Sequence, residues 1–363
     1  MQIEILLKKV LAEHHLDEHG VVQKMARELG HHRNTVARIY RNQTTNPSLD
    51  VLQTICGWLQ AHGVPPEKLP QALFGSRPSA LIEALAEPGR VTIYLGEYQQ
   101  TEAGQIMVLW VSRRDSTLAG GVVRRLTMPG GGTLHANVSI KYVPFRFASA
   151  GSRVKKKEFV QDQARARRIF DQMLADSGGT STILVGSQVT NRLVELLVAR
   201  LFGCQAFRRN RTTIQVPIYL GFRSRNRAMP SCFGGLTNPP GRRGRFSPGT
   251  YYLDEKAKWV NCPWRPDTDD SGIIVTLHQA GMGVQMAVLG FSGRATEAMG
   301  RQLLIDASPY WKPQVRWHDK ELGVYVCRFK KAIETSLDAG EVIHAKEMEV
   351  IPLSRGILER YLS

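Results

Sequence analysis

The segment that most constrains the fold of this chain is a pair of short amphipathic helices predicted between Gln23 and Ile39. Two helices that cross at a steep angle need a small residue where they touch, and Ala26 stands at that position. The turn between them needs a residue that tolerates a positive φ, and Gly30 follows four positions later. Val36 and Ile39 give the second helix an apolar inner face. These residue types at fixed offsets predict a helix-turn-helix.

This segment resembles the helix-turn-helix domains of the Cro and phage-repressor (XRE-like) family, over residues 3–62. Gln23 stands at the family's position near the start of the second helix, and Asn46–Leu52 resembles the start of its fourth helix. Two features depart from the family: His32 replaces the small polar cap of the recognition helix, and Tyr40–Asn42 replaces an acidic residue and a glycine. A Fis-like helix-turn-helix is the alternative, which Asn46–Leu52 fits less well. Both resemblances imply a helix that enters the major groove of double-stranded DNA.

The candidate DNA contacts lie in or next to the two helices of this motif. They are Gln23, His32, Arg33, Asn34, Thr35, Arg38 and Arg41. Arg33, Asn34 and Arg38 are expected to point outward, where arginine can bind guanine and asparagine can bind adenine through two hydrogen bonds. Gln23, Thr35 and Arg41 are better placed for phosphates, which position a protein without reading sequence. The alternative is a helical pair used only for protein contacts.

The histidines and cysteines predict neither a metal site nor a disulfide framework. His14, His15, His19, His31 and His32 fit solvated helix faces better than metal ligands. The five cysteines are scattered, odd in number and contain no CxxC pair, which favours reduced thiols in the cytoplasm. No apolar run approaches the ~18 residues of a membrane span, and no signal peptide is apparent. We therefore expect a cytoplasmic protein without cofactor or metal.

The rest of the chain has the pattern of an α/β domain. Proline-rich residues 63–70 end the helical pattern, and strand-like segments begin after Arg90. The predicted strands are Val91–Leu95, Ile106–Val111, Val138–Tyr142, Ile183–Val185, Ile214–Leu220, Ile273–Leu277, Met286–Leu289 and Val324–Phe329. The predicted helices between some of them are Phe159–Leu174, Arg192–Phe202 and Thr296–Leu304, and a short helix is predicted before them at Pro78–Leu85. This alternation predicts an α + α/β protein: a helix-turn-helix domain (1–75), a linker (76–90) and an α/β domain (91–363) with a mostly parallel or mixed sheet.

Three predicted loops each follow an apolar strand and precede a helical segment. Ligands bind at the carboxyl ends of strands in open α/β sheets, where such loops gather. The candidate ligand contacts are Ser112, Arg113, Asp115, Ser187, Asn191, Ser292, Gly293 and Thr296. The alternative is three ordinary turns whose serine or asparagine caps a helix. Residues 183–304 also loosely resemble the effector-sensing α/β domains of bacterial regulators, which implies a sensor without naming its ligand.

Catalysis is the less favoured interpretation of this domain. The candidate acids and bases are Asp115, Asp267, Asp269, Asp270, His278 and Glu297. No nucleophile elbow, metal-ligand spacing or Ser/His/Asp order organises them. A binding module is therefore favoured over a nucleotide-processing enzyme, which stays as the alternative.

The net charge of +16 lies outside the predicted helix-turn-helix domain. Residues 1–75 hold eight basic and seven acidic side chains, whereas ten arginines and no acidic residue fall between 200 and 245. This excess suggests a solvated face, a second phosphate track that includes Arg242, Arg243 and Arg245, or a surface for an anionic ligand or partner. The aromatics Phe207, Phe222, Phe233 and Phe246 lie among these arginines, a composition that suits single-stranded nucleic acid. A nucleic-acid-binding defence effector is therefore a further alternative.

Together these features predict a regulator of transcription. The resemblance implies binding of double-stranded DNA as a homodimer, because such domains read two half-sites about one helical turn apart. The basic α/β domain is expected to dimerise and to sense a small anionic ligand.

Overall fold

A computed structural model of the protein describes residues 3–5, 7–41, 43–44, 47–65, 74–76, 80–102, 105–127, 136–146, 156–208, 215–222, 230–279, 282–305, 308–310, 312–317, 320–336 and 340–362. The described residues form two compact units, one within Met1–Pro78 and the other within Ser79–Thr127 and Leu134–Ser363. The architecture is mixed α+β, with a helical N-terminal region followed by a larger unit of helices around a mixed sheet, as the sequence predicts.

The smaller unit is helical. Its helices are α1 (Leu7–Glu13), α2 (Val21–Glu28), α3 (Arg33–Tyr40) and α4 (Leu49–Ala61). Ser48 begins α4, because its hydroxyl accepts a hydrogen bond from the Val51 amide at 3.4 Å. The apolar faces of the four helices share one core. Its largest fully buried side chains are Leu7, Leu11, Met25, Ile39, Ile55 and Leu59.

A short two-stranded sheet completes this unit. β1 (Ile3–Ile5) pairs antiparallel with β2 (Phe74–Ser76), with Ile3 opposite Ser76. The predicted helix from Ile3 is therefore wrong over these first residues. Their partner strand lies about seventy positions away, so local spacing carries no sign of the pairing.

The larger unit contains six helices and thirteen strands in the described ranges. The helices are α5 (Ala80–Ala86), α6 (Arg113–Thr127), α7 (Lys156–Ala175), α8 (Arg192–Leu201), α9 (Gly293–Ile305) and α10 (Arg355–Tyr361). The strands are β3 (Arg90–Glu102), β4 (Gln105–Val111), β5 (Asn137–Arg146), β6 (Ser181–Val185), β7 (Ile218–Gly221), β8 (Gly234–Gly235), β9 (Gly249–Leu253), β10 (Trp259–Pro263), β11 (Asp269–Gln279), β12 (Gly283–Gly290), β13 (Val315–Trp317), β14 (Lys320–Ser336) and β15 (Gly340–Pro352).

The main sheet has the order β13-β14-β11-β12-β6-β3-β4, with β15 paired to β14 and β5 paired to β3. Its parallel core consists of β5, β3, β6 and β12, in which Leu95 lies beside Val185 and Val185 beside Val288. The remaining pairings of this sheet are antiparallel, including the long β14–β15 hairpin. A smaller sheet has the order β10-β9-β7-β8.

Both faces of the main sheet are buried along its central strands β3, β6, β12 and β11, as their continuous apolar runs require, whereas β4 and β5 expose Trp110 and Tyr142. Successive residues of a strand point to opposite faces, so Leu184 lies in one core while Ile183 and Val185 lie in the other. Helices α7, α8 and the smaller sheet cover the Leu184 face. Helices α5, α6 and α9 cover the opposite face.

The fold corrects one local prediction, confirms another and adds strands that were not predicted. The segment 112–116 is not a loop, because α6 already begins at Arg113. Helix α5 confirms the short helix predicted at Pro78–Leu85, and its Leu81 and Leu85 are buried in the core of the larger unit. The strands at 249–253, 259–263 and 340–352 were not predicted from the sequence.

Candidate functional site

The helices α2 and α3 form the predicted helix-turn-helix. Gly30 in the turn has a φ of 67°, in the left-handed region that favours glycine. Ala26 is buried where the helices meet, and Val36 and Ile39 of α3 are buried in the core. The residues that predicted the motif therefore have the burial and the backbone conformation that the motif requires.

His32 caps α3 in place of the small polar residue that is usual at this position. It stands at the N-cap of α3, and its Nδ1 accepts a hydrogen bond from the Asn34 amide at 3.2 Å. An imidazole nitrogen thus does what a serine or aspartate oxygen does in most helices. One ring nitrogen of His32 consequently serves the helix, which leaves Nε2 for a DNA contact.

Helix α4 fixes the position of the motif. Trp58 Nε1 donates a hydrogen bond of 2.5 Å to Glu28 Oε2 at the end of α2, and the Trp58 ring stacks on His62 at 3.7 Å between centroids. His31 Nε2 lies 2.8 Å from Thr54 Oγ1. These contacts tie both ends of the turn between α2 and α3 to one helix.

All seven side chains predicted to contact DNA are exposed: Gln23, His32, Arg33, Asn34, Thr35, Arg38 and Arg41. Among the described residues, no carboxylate lies within ion-pair distance of Arg33, Arg38 or Arg41. A face with three uncompensated guanidinium groups and an amide opposite a buried apolar face has the chemistry of a groove-binding helix.

In the larger unit, the three predicted connections meet at one edge of the sheet. Strands β6 and β12 end side by side, and β4 ends beside Glu97 of β3. Gly186, with a φ of 108°, leaves no space for a side chain, because a Cβ there would lie 2.6 Å from Thr190 Oγ1. The same Cβ position is 3.4 Å from Asp115 Oδ2, an ordinary contact distance that places the start of α6 beside this loop. A Cβ on Gly293 would lie 3.1 Å from Cδ of Arg114. The start of α6, the Gly186 loop and the start of α9 are therefore neighbours.

Three of the predicted ligand contacts cap helices. Ser112 Oγ accepts from the Asp115 amide at 3.4 Å, and Ser292 Oγ accepts from the Ala295 amide at 3.2 Å. Asn191 Oδ1 accepts from the Leu193 amide at 3.1 Å. These contacts agree with the alternative in which the serines and the asparagine cap ordinary turns.

The Asn191 amide group also donates both of its hydrogens to the sheet. Its Nδ2 donates to the carbonyl oxygens of Tyr94 at 2.9 Å and Val185 at 3.1 Å. This joins β3 to β6 and leaves neither amide hydrogen of Asn191 for a ligand. Thr296 is buried, and its hydroxyl lies 3.4 Å from the Ser292 carbonyl oxygen.

Asp115 is the predicted ligand contact whose pKa is shifted by burial. Its side chain is 3% exposed, and burial raises its pKa to about 7. Nearby, Glu297 is buried between Arg301, at 3.2 Å, and Arg114, at 3.9 Å. Arg113 and Gly293 are exposed at this edge, and the half-buried Ser187 hydroxyl accepts from the Val189 amide at 3.3 Å.

The candidate acids and bases do not gather around one centre. Asp267 pairs with Arg294 at 4.0 Å, Asp269 with Arg265 at 3.2 Å, and His278 with Glu321 at 3.8 Å. The first two pairs lie together beside Asp270, because Arg294 also donates to the Pro266 carbonyl oxygen at 3.4 Å, whereas His278 lies near the opposite end of β11. Asp267 and Asp269 are therefore each held by an arginine.

Asp270 belongs to a buried network that sequence reasoning missed. Its Oδ2 accepts from Ser292 Oγ at 2.6 Å and lies 3.4 Å from Lys331 Nζ, which also donates to the Arg265 and Pro266 carbonyls. Burial raises the Asp270 pKa, while Ser292 and Lys331 oppose the rise. The sequence separates Asp270 from Lys331 by 61 positions, so no motif marks the pair.

The arginine-rich region is only partly described. Arg209, Arg211, Arg223, Arg225 and Arg227 lie outside the described residues, whereas Arg208, Arg243 and Arg245 are exposed. The Arg242 guanidinium is half-buried over the Tyr251 ring, 4.6 Å from its centroid.

The aromatics among these arginines do not form a base-stacking surface. Phe207, Phe222 and Phe233 are buried in the core that covers the Leu184 face of the sheet. Their interpretation as platforms for single-stranded nucleic acid is wrong for a physical reason, since a ring packed on all sides has no face for a base. Phe246 is half-buried.

Two further polar residues of this edge were missed from the sequence. Gln188 lies inside the Gly186 loop, and Arg192 is the first residue of α8; both side chains are buried. A glutamine and an arginine next to a helix start are ordinary on a surface, and only their burial distinguishes them.

Within the described ranges, no group of histidine, cysteine, aspartate or glutamate side chains has an arrangement that could hold a metal ion. None of the described helices combines the length and the apolar character needed to cross a membrane.

Comparison with known proteins identifies the smaller unit. Residues 7–61 match the model of the Cro/C1-type HTH DNA-binding domain, which includes α1 to α4. The suspected XRE-like motif is thereby confirmed. No curated protein and no solved structure matches the chain.

Proposed function

We propose that this protein is a sequence-specific regulator of transcription that binds double-stranded DNA as a homodimer. The observation that carries the proposal is the exposed face of α3, where Arg33, Asn34 and Arg38 stand on a Cro/C1-type domain. Arginine and asparagine read guanine and adenine in the major groove through paired hydrogen bonds.

The charge balance of the smaller unit supports a dimer. Eight basic and seven acidic residues in 1–75 leave little net charge for non-specific attraction to phosphates. Two copies bound to two half-sites would double the number of base contacts, so the affinity would not depend on a larger charge in each copy.

The larger unit would sense a small anionic ligand rather than catalyse a reaction. This unit carries nearly all of the net charge of +16, which favours an anion. Most of the candidate acids are engaged in ion pairs: Glu297 with Arg114 and Arg301, Asp267 with Arg294 and Asp269 with Arg265. A nucleotide-processing enzyme is the second candidate, because a carboxyl whose pKa is about 7 suits a general acid or base. Turnover of nucleotides by the purified protein would favour the enzyme.

The test is base readout by Arg33. The bound sequence is first obtained from DNA that co-purifies with the protein. Arg33→Ala should then weaken binding to that site by about 1–3 kcal/mol and relax specificity at one base pair. Fluorescence anisotropy on the specific site and on single-base variants measures both effects.

Lys8→Ala is the matched control, since Lys8 is an exposed cation on α1, outside the recognition helix. It should leave the specificity profile unchanged. Equal losses for Arg33→Ala on specific and random DNA would contradict base readout. A footprint that covers one half-site under a monomeric protein would contradict the dimer.

A further inference from the structure

The start of α8 contains a buried cation whose hydrogen bonds are incomplete. Arg192 is 1% exposed, and its Nη1 donates to the Gln188 carbonyl oxygen at 2.9 Å. Its Nε and Nη2 are buried without a hydrogen-bond partner in the described part of the chain. Buried donors of this kind are rare in folded proteins, because an unmade hydrogen bond is costly in a medium of low dielectric constant.

Gln188, one turn before Arg192, shows the same incompleteness. Its side chain is 2% exposed, and neither Oε1 nor Nε2 has a partner among the described residues. The Nε of Arg146, at the end of β5, is also buried without one. Arg146 and Arg192 both interact electrostatically with Asp162 of α7, so the two arginines belong to one region.

The charges around Arg192 leave its guanidinium under-compensated. Burial lowers its pKa to about 10, so the group stays protonated at neutral pH. Asp162 and Glu195 are its acidic neighbours, but neither lies within ion-pair distance in the described ranges. Glu195 instead accepts hydrogen bonds from Ser231 Oγ at 2.7 Å, the Cys232 amide at 2.8 Å and the Phe207 amide at 3.0 Å.

The surroundings increase the affinity of this place for an anion. Arg192 is the first residue of a ten-residue helix, so the positive end of the helix dipole adds to its charge. The rings of Phe159 and Phe145 lie 5.3 Å and 5.9 Å from the guanidinium carbon and shield it from water.

We propose that Arg192, Gln188 and Arg146 form a buried binding site for an oxyanion, the carboxylate or phosphate group of a small ligand. Nε and Nη2 are adjacent donors in the plane of the guanidinium, the pair that binds two oxygens of a carboxylate or phosphate side-on. Gln188, whose backbone carbonyl already binds Arg192, supplies a further buried donor through its unpartnered amide in the loop before α8. The inference rests on the proposed function, since this would be the ligand that the larger unit senses.

Isothermal titration calorimetry of the full-length protein tests the site with inorganic phosphate and with acetate, against sodium chloride at equal ionic strength. We expect one of the two oxyanions to bind with heat that chloride does not produce. Arg192→Met should weaken its affinity at least about tenfold, the expected loss of a charge-assisted pair of bonds. Arg200→Met, an exposed arginine on the same helix, should not change the affinity.

Gln188→Leu keeps the proposal testable if Arg192→Met does not fold. This variant should bind the oxyanion more weakly, and its ligand-free form should unfold at a higher temperature than the wild type, because a buried amide without partners has been removed.

Binding of phosphate alone would identify a phosphate ligand, and binding of acetate alone a carboxylate. Absence of any oxyanion-specific heat, or full affinity in both variants, would overturn the proposal. Because no DNA is present, failure here leaves the helix-turn-helix proposal intact, and the DNA experiments can fail while this site binds.

Discussion

Replacing Asp115 with asparagine removes a buried negative charge where α6 meets the Gly186 loop. Burial raises the pKa of this carboxyl from 3.8 to about 7. At about 1.4 kcal/mol for each pH unit, the rise corresponds to about 4 kcal/mol between the two protonation states. Asp115 lies in the first turn of α6, where the helix dipole favours the charged form by only ~0.3–1 kcal/mol, so burial is the larger effect.

The sign of the pH dependence follows from the raised pKa. The folded protein holds the proton more tightly than the unfolded chain, so Asp115 favours the folded state at low pH. This advantage is lost as the pH rises from about 4 through 7. Above pH 7 the charged carboxylate is buried and destabilises the larger unit.

Asp115→Asn should therefore gain stability relative to the wild type as the pH rises. The difference in free energy of unfolding between variant and wild type should grow by about 3 kcal/mol from pH 4.5 to pH 8.5. Near pH 4.5 the free energy of unfolding of the variant should be equal to or lower than that of the wild type, because a buried amide needs hydrogen-bond partners of its own. Native-state hydrogen exchange of the amides in β6 measures the stability of this unit.

Asp171→Asn is the control, since Asp171 is exposed on α7. The same substitution on this exposed surface should change the free energy of unfolding little, by less than about 0.5 kcal/mol. A constant difference for Asp115→Asn across this pH range would refute the reasoning, because the carboxyl would then titrate alike in the folded and unfolded states.

Two further predictions concern the larger unit. Arg243 and Arg245 are neutralised together, and Arg242 is kept because it packs on Tyr251. The slope of log K for DNA against log salt should fall by about 0.9 for each lost phosphate contact, on specific and on random DNA alike. Unchanged slopes in salt titrations would show that these arginines do not contact DNA. Ser292→Ala removes both a helix cap and a hydrogen bond to the buried Asp270. In urea unfolding, the variant should be less stable than the wild type by about 2–3 kcal/mol, and a loss below about 0.5 kcal/mol would show that neither bond contributes.

The sequence predicted where the three connections of the larger unit lie, but not what their polar side chains do. Strands followed by polar turns predicted that the connections after 111, 185 and 290 would gather, and they are neighbours. The same residues left open whether Ser112, Asn191 and Ser292 bind a ligand or cap helices, because both roles use the same residue types at the same positions. The partners of Asn191 on β3 lie about a hundred residues away.

The sequence alone determined the helix-turn-helix, because the residues that define the motif are neighbours along the chain. Ala26, Gly30, Val36 and Ile39 act on neighbours within seventeen residues, and helix periodicity with a positive-φ turn specifies their geometry. Tertiary structure alone decided which polar groups lose water. The pairing of β1 with β2, the Lys331–Asp270 contact and the burial of Arg192 depend on segments that meet only when the chain packs, so spacing along the sequence carries no record of them.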